Sequence, residues 1–257
     1  MNRLIQGMLV LCLLAGMASS TFAQTSTTTT TYAAIDYNDY LKSPFTNPQW
    51  DPFVQEGFEA MDKNDLVTTI EFLRKSITLG CQSPLVLFKL ALCYEAQGSY
   101  YSSVQYYELS KEQFQKSNSQ HRYRKMFNSN YGRALYMMGE TDKAFPILEQ
   151  AAKEDKSYWI CKLLGQISLT KGDLDKAVNY YGQAYTMNDP ANTATEQLGM
   201  LLELARAYKS QNDLASTQKY YETALKLDPT NKEANDFIRS QQKNNSLEKA
   251  MQVLEKN

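Results

Sequence analysis

Two stretches of the chain decide its fold: GDLDKAVNYYGQAYTMNDP at residues 172–190 and NDLASTQKYYETALKLDPT at residues 212–230. Each begins with a residue type that commonly ends a helix, continues through Asp into a helix-forming run with a Tyr-Tyr pair, and reaches Asp-Pro. The second stretch starts forty residues after the first. Repetition at this interval indicates a fold that is built from stacked copies of one unit.

The same register extends over most of the chain. Its windows begin at Trp50, Pro84, Lys125, Tyr158 and Leu198. The eighth residue of every window is small, and two helices approach closely only where no large side chain separates them. These small residues are Gly57, Ala91, Gly132, Gly165 and Ala205.

Two further positions of each window are also small. The twentieth residues are Thr69, Ser103, Ala144, Ala177 and Thr217, and the twenty-seventh are Ser76, Ser110, Ala151, Ala184 and Ala224. The larger residues between them are Leu73, Tyr107, Leu148, Tyr181 and Tyr221. This alternation predicts two packed helices in each window, with the large side chains inserted among the small ones.

A regular turn separates the two predicted helices. Its first residue is a type that accepts a left-handed backbone just after a helix, namely Asn64, Gly98, Gly139, Gly172 or Asn212. The next residues are Asp65, Ser99, Glu140, Asp173 and Asp213. We expect the Asp and Ser side chains among them to accept hydrogen bonds from the first amides of the second helix.

With small residues and turns in this register, the chain resembles the tetratricopeptide repeat family from Trp50 onward. The resemblance implies an all-α fold, a right-handed superhelical solenoid of antiparallel helical hairpins. Its five units are residues 50–83, 84–117, 125–157, 158–191 and 198–231. Residues 232–257 are predicted to form a degenerate sixth, capping unit, because Ile238 replaces the expected Gly or Ala while Asn245 and Ser246 match the turn.

Residues 1–23 have the pattern of a cleavable export signal. Arg3 lies near the start, an apolar run occupies residues 8–17, and small residues follow. The run is shorter than the ~20 residues of a membrane-spanning helix, so we expect no transmembrane segment in the mature chain. The prediction is export across the inner membrane, to the periplasm or the cell surface.

Residues 24–49 are Thr-rich and then carry spaced aromatic residues, which are Tyr32, Tyr37, Tyr40 and Phe45. We interpret this segment as a flexible arm. Two hypotheses about it stay open. The segment could occupy the groove of the repeat array, or it could pack as an N-terminal cap.

Composition gives little support for catalysis or nucleic-acid binding. The formal net charge is −1, from 27 basic and 28 acidic residues. The chain therefore has no net positive charge that would attract nucleic acid. His121 is the single histidine, so the chain has no His pair for a metal and no obvious base for a nucleophile. Glycine-rich phosphate loops are absent. We predict no enzyme activity, no cofactor, no metal site and no nucleic-acid partner.

Stacked hairpins leave the first helix of each unit along a concave groove, which the second, fifth, ninth and twelfth positions should face. The candidate ligand-binding residues there are Phe88, Arg133, Tyr136, Trp159, Lys162, Gln166, Arg206 and Lys209. The cations could hold acidic side chains or a carboxylate, and Tyr136 and Trp159 could take an apolar anchor. The pattern predicts a protein or peptide partner, with acidic groups among its candidate ligands.

Family resemblance does not extend to the carboxylate clamp that grips chaperone tails. That clamp has Lys and Asn at the fifth and ninth positions of one unit, where the first unit has Val54 and Phe58 and the fourth has Lys162 and Gln166. The leading hypothesis is an exported, noncatalytic scaffold or assembly factor. The alternative is a glycan-binding component of an outer-membrane uptake system, which is weakened by the missing lipid-attachment cysteine.

Overall fold

The computed structural model describes residues 37–117, 124–154 and 156–254, and twelve helices lie within these ranges. Residues 1–36, which include the export signal and Tyr32, lie outside them, as does His121. The helices are α1 Tyr37–Leu41, α2 Asp51–Asp62, α3 Leu66–Thr78, α4 Pro84–Ala96, α5 Tyr100–Lys116, α6 Arg124–Met137, α7 Thr141–Glu154, α8 Tyr158–Thr170, α9 Leu174–Thr186, α10 Ala194–Ser210, α11 Leu214–Leu227 and α12 Lys232–Leu254.

Consecutive helices pair as five hairpins. Units 1 to 5 are α2–α3, α4–α5, α6–α7, α8–α9 and α10–α11, and the second helix of each unit packs on the first helix of the next. The last helix, α12, packs on α11. The predicted all-α solenoid is therefore confirmed. In unit 5 the first helix begins at Ala194, four residues before the predicted window, with Thr193 accepting a hydrogen bond from the amide of Glu196.

The small positions bring the helices of each hairpin together. A Cβ atom at Gly165 would lie 2.6 Å from Cδ1 of Tyr181, and one at Gly132 would lie 2.7 Å from Cγ of Leu148. Real Cβ atoms essentially never come this close to another heavy atom. All ten residues at the twentieth and twenty-seventh positions are at most 1% exposed. The predicted insertion of large side chains among small ones is confirmed.

The predicted turns are confirmed by the backbone. Positive φ angles of 59° to 92° occur at Asn64, Gly98, Gly139, Gly172 and Asn212. The carboxylates of Asp65, Asp173 and Asp213 accept hydrogen bonds from amides three residues ahead, at 3.0–3.2 Å. The same prediction for Ser99 is wrong, since its side chain makes no capping bond. Its ψ is 64°, against 80–85° at the three aspartates, so the backbone at Ser99 differs from that of the residues that do cap.

The flexible-arm interpretation is wrong for residues 37–49, because they pack on unit 1. Tyr40 is fully buried, and its hydroxyl donates to Oδ1 of Asp51 at 2.5 Å and to the carbonyl of Phe45 at 3.2 Å. Trp50 Nε1 donates to the same carbonyl at 3.0 Å. An aromatic core and three hydrogen bonds hold the segment. This part of the chain is an N-terminal cap.

The predicted turn at Asn245 and Ser246 is also wrong, because α12 continues through it. The Ser246 hydroxyl donates to the carbonyl of Gln242 at 2.8 Å, within the helix. Ala234 and Phe237 are buried in the first part of α12, but Leu247 and Met251 are 61% and 53% exposed. Because Leu247 and Met251 are exposed, these two apolar side chains supply no buried surface to offset the cost of a turn.

No helix in the described ranges has the length and apolar character to cross a membrane. Within the same ranges, no group of three or more His, Cys, Asp and Glu side chains could hold a metal ion. Cys81, Cys93 and Cys161 are buried free thiols. Burial raises the pKa of Cys93 to about 12, so this thiol is protonated and unreactive at neutral pH.

Close approach at Gly165 gives a stability prediction. Replacing Gly165→Ala forces Cβ against the Tyr181 ring and should lower the free energy of unfolding by about 1–3 kcal/mol. The matched control is Gly182→Ala in the exposed interior of α9, where a Cβ meets nothing within 4 Å. The free energy of unfolding of the control should rise by about 0.5–1 kcal/mol, because Ala is more favourable than Gly inside a helix. Urea unfolding measures both, and equal stability of the two variants would contradict the packing account.

The capping aspartates give a pH prediction. Hydrogen bonds from Thr68 hold the pKa of Asp65 below its usual 3.8, and those from Ser216 do the same for Asp213. A carboxyl group with a lowered folded pKa stabilises the fold above pH 3.8 and loses that effect as pH falls through the folded value. Asp213→Ala should therefore lower the thermal midpoint at pH 6, and the loss should shrink below pH 3. Ser99→Ala, which removes no cap bond, should leave the midpoint unchanged at both pH values.

Candidate partner-binding groove

The residues at the ninth position of each unit differ in exposure along the array. Phe58 and Leu92 in units 1 and 2 are 1% and 0% exposed, whereas the side chains of Arg133 and Arg206 in units 3 and 5 are 14% and 56% exposed. Gln166 in unit 4 is half-buried. The groove is therefore closed at units 1 and 2 and open over units 3 to 5. We call this open part, lined by α6, α8 and α10, the open groove.

Phe88 is not accessible to a ligand, contrary to its prediction as a groove residue. It is fully buried, with its ring centroid 5.6 Å from that of Tyr107 and 5.8 Å from that of Phe127. The helix that carries it, α4, has buried side chains on all sides. Phe127 of unit 3 packs against Phe88, so this side chain belongs to the core between units 2 and 3.

Arg133 is held in a network that joins three units. Its Nε donates to Oε1 of Glu95 at 2.6 Å, and a terminal guanidinium nitrogen donates to Oδ1 of Asn130 at 3.0 Å. The Tyr107 hydroxyl donates to the other oxygen of Glu95 at 2.9 Å. The guanidinium carbon lies 5.2 Å from the ring centroid of Trp159 on α8. Since Glu95 is only 5% exposed, Arg133 is the counter-charge of a buried carboxylate.

Lys162 is paired in a similar way between units 4 and 5. Its ammonium group donates to Oε2 of Glu196, in the first turn of α10. The Tyr158 hydroxyl donates to the same oxygen at 3.2 Å. Burial, with a further effect of the Glu196 charge, raises the pKa of Tyr158 well above 10, so this hydroxyl keeps its proton.

The pairing recurs at the C-terminal end. Arg206 donates from Nε and a terminal nitrogen to the two oxygens of Glu233 on α12, at 2.9 and 2.5 Å. The Tyr221 hydroxyl donates to Oε1 of Glu233 at 2.7 Å. The hydrogen bonds from Arg206 are the largest cause that lowers the pKa of Glu233. Burial and the bond to Glu233 raise the pKa of Tyr221 to about 12.

Three of the four predicted groove cations therefore pair with a glutamate of a neighbouring helix. The fourth, Lys209, is exposed and lies 5.8 Å from the ring centroid of Phe237. Sequence reasoning missed the glutamates as partners. Glu196 precedes its window, and Glu233 lies in the segment assigned to the degenerate unit. The Tyr at the twenty-fourth position of units 2 and 5, which donates to Glu95 and to Glu233, is the signal that could have indicated these two carboxylates.

The open groove keeps three partly accessible side chains, Tyr136, Trp159 and Gln166. Trp159 and Gln166 are seven residues apart on α8, so they lie on one face of that helix with Lys162 between them. Among the described residues, the Gln166 side-chain amide has no hydrogen-bond partner. The half-buried Trp159 ring and the accessible Gln166 amide thus lie on the same surface. The neighbouring cation, Lys162, is paired with Glu196.

Two family models of the tetratricopeptide repeat match the chain, one at residues 83–153 and the other at residues 160–189 and 198–231. The chain belongs to the tetratricopeptide repeat family. No curated protein matches it. The family assignment agrees with the five hairpins and their left-handed turns.

Several solved structures share the repeat fold. YrrB, a tetratricopeptide repeat protein with an unusual peptide-binding site, is 13% identical, with coverage of 73% of this chain and 91% of YrrB and a TM-score of 0.59. MamA from Desulfovibrio magneticus RS-1 is 12% identical, with coverage of 72% and 98% and a TM-score of 0.57. A repeat protein from Parabacteroides merdae is 14% identical, with coverage of 74% and 71% and a TM-score of 0.55. At these identities the likeness concerns the fold alone.

The Glu95 network gives a prediction for the groove. Glu95→Ala leaves the Tyr107 hydroxyl and Arg133 without their carboxylate and should cost about 3–5 kcal/mol in the free energy of unfolding. The control is Glu112→Ala on α5, whose ion pair with Lys116 is exposed and should contribute under about 0.5 kcal/mol. Chemical denaturation of both variants is the measurement. If the Glu95 variant were as stable as the Glu112 variant, the ion pair of Arg133 with Glu95 would not contribute to the stability of the fold.

Proposed function

We propose that this protein is a noncatalytic scaffold that binds a polypeptide segment of a partner protein in the open groove. Membership of the tetratricopeptide repeat family supports a role in protein–protein interaction. The observation that carries the finer proposal is the pair of partly accessible residues Trp159 and Gln166 on one face of α8, with Tyr136 at a groove position of α6. Aromatic side chains in such settings often dominate the binding free energy.

The chemistry of the open groove indicates the kind of segment. Arg133 lies against the Trp159 ring and is itself held by Glu95, so the ring is already positioned before a ligand arrives. Trp159 and Tyr136 suit an apolar or aromatic side chain. The Gln166 amide can donate to a main-chain carbonyl and accept from a main-chain amide. The partner segment is therefore an extended peptide with an apolar anchor.

The paired cations of the groove argue against a strongly acidic partner segment. Arg133, Lys162 and Arg206 already have glutamate counter-charges, and removal of the buried Glu95 would destabilise the array. Only Lys209 presents an exposed ammonium group in the candidate set. A peptide carboxylate that displaced Glu95 from Arg133 would leave Glu95, which is 5% exposed, buried without its counter-charge.

Export is the second part of the proposal. The segment at residues 1–23 supports passage across the inner membrane, with action in the periplasm or at the cell surface. Fractionation of the native cells tests it: the processed chain should be found outside the cytoplasm, and an uncleaved cytoplasmic chain would contradict it.

Partner capture tests the binding proposal. Native cells are crosslinked, the protein is isolated, and its partners are identified by mass spectrometry beside the double variant Trp159→Ala, Gln166→Ala. We expect recovery of the partner to fall at least about tenfold in the double variant, the effect of losing about 1.4 kcal/mol. Arg133 and Lys162 are left intact because their substitution would alter the fold.

The control for this capture is Tyr101→Ala on α5, which is 67% exposed on the second helix of unit 2. It should keep the partner. Binding would lie outside the open groove if the unsubstituted protein, the double variant and Tyr101→Ala all recovered the partner equally. The same conclusion would follow if only Tyr101→Ala lost the partner. Co-isolation of a polysaccharide instead of a protein would favour the glycan-binding alternative.

A further inference from the structure

A tyrosine and a cation together bind one glutamate at three places in the row of first helices, which α12 continues. The three sets are Glu95 with Tyr107 and Arg133, Glu196 with Tyr158 and Lys162, and Glu233 with Tyr221 and Arg206. In each set the carboxylate accepts from one phenolic hydroxyl and from one cation. At a fourth glutamate, Glu203 on α10, the tyrosine is present and the cation is missing within the described part of the chain.

The tyrosine of this fourth set is Tyr181, whose hydroxyl donates to Oε2 of Glu203. Burial, with a further effect of the Glu203 charge, raises the pKa of Tyr181 well above 10, so this hydroxyl keeps its proton. Among the described residues, no lysine or arginine forms an ion pair with Glu203, and no group donates to its Oε1. The side chain is partly exposed. One oxygen of the carboxylate is therefore open to a further donor.

The Glu203 carboxylate acts on groove residues of two helices. It lies one turn before Arg206 on α10. The hydrogen bonds to Glu233 raise the pKa of Arg206 most, and the Glu203 charge adds to the increase. Arg206 is not the missing cation, because its Nε and a terminal nitrogen both donate to Glu233. Burial, and after it the Glu203 charge, raises the pKa of Tyr136 on α6. Glu203 is thus a further group of the open groove, at the sixth position of unit 5.

An arginine side chain suits this carboxylate. Its planar guanidinium can donate to a carboxylate oxygen while its face rests on an aromatic ring. The open groove supplies such rings at Tyr136 and Trp159. Two of the three complete sets use arginine as their cation. Arg133 shows both contacts at once, since its guanidinium donates to Glu95 and lies 5.2 Å from the ring centroid of Trp159.

We infer that Glu203 binds an arginine side chain of the partner segment, which supplies the cation of the fourth set. This inference rests on the proposed function and narrows it, because the segment then carries an arginine in addition to its apolar anchor. Trp159 and Glu203 lie on α8 and α10, the first helices of consecutive units, so one extended segment along the groove reaches both. The glutamate partners of Arg133 and Lys162 reduce the repulsion that such a cation would meet.

Parallel peptide selection tests the role of Glu203. Peptides from a random library are selected on the immobilised protein, on Glu203→Gln and on the control Glu222→Gln, which alters an exposed glutamate of α11 that accepts from Gln218. The glutamine amide oxygen can still accept from Tyr181, so Glu203→Gln should keep the melting midpoint of the array. We expect arginine to be enriched in peptides selected on the unsubstituted protein and on the control, and not in those selected on Glu203→Gln.

Replacement of the arginine in a selected peptide by citrulline gives a second test, which needs no variant of the protein. Citrulline has nearly the same shape as arginine but no charge. The citrulline peptide should bind the unsubstituted protein about tenfold more weakly, the effect of losing a hydrogen bond between charged groups. Glu203→Gln should bind the arginine and citrulline peptides equally.

The outcomes separate this inference from the proposed function. If peptides lose binding with Trp159→Ala but show no arginine enrichment, the inference is wrong and the proposed function stands. The inference is also wrong if citrulline leaves binding to the unsubstituted protein unchanged, or weakens binding to Glu203→Gln by the same factor. If no selected peptide depends on Trp159, both fail.

Discussion

Close approach of two helices at a residue without a large side chain is the constraint on which the rest of this structure depends. The Tyr181 ring occupies the space that a Cβ of Gly165 would need, and Leu148 does the same at Gly132. Because every hairpin has a small residue at this position, successive units stack in one register, and their first helices come to lie side by side. The groove, its closed end and its open part all follow from that register.

Carboxylates between units form the second layer of organisation. A tyrosine hydroxyl and a cation converge on one glutamate at Glu95, at Glu196 and at Glu233. In each case the glutamate and the cation lie on different helices, so the pair ties neighbouring units together. The charges that look like ligand-binding groups in the sequence are thus part of the fold. What the open groove offers to a partner is an aromatic surface and an amide.

The sequence predicts the parts of this fold that depend on local pattern. Small positions, left-handed turns and side-chain caps each involve residues within one window, and in units 1 to 5 they are confirmed apart from the cap at Ser99. The ion pairs could not be predicted in this way, because Arg133 and Glu95 are 38 residues apart and Lys162 and Glu196 are 34 apart. The N-terminal cap depends on Tyr40 finding Asp51 and Phe58 in three dimensions. The exposure of Leu247 and Met251 on the continuous α12 likewise depends on tertiary packing, which a turn motif does not reveal.

Trp159 is the most direct reporter of the central claim, which is that the open groove binds a polypeptide segment. The chain has two tryptophans, Trp50 in the N-terminal cap and Trp159 in the groove, so Trp50→Phe leaves Trp159 as the only tryptophan, which excitation at the long-wavelength edge of its absorption selects over tyrosine. Peptides selected from a random library on the immobilised protein are titrated into this variant, with calorimetry to establish binding. The account predicts a saturable change of Trp159 emission that follows the calorimetric isotherm. Peptides that bind while Trp159 emission stays constant would contradict it.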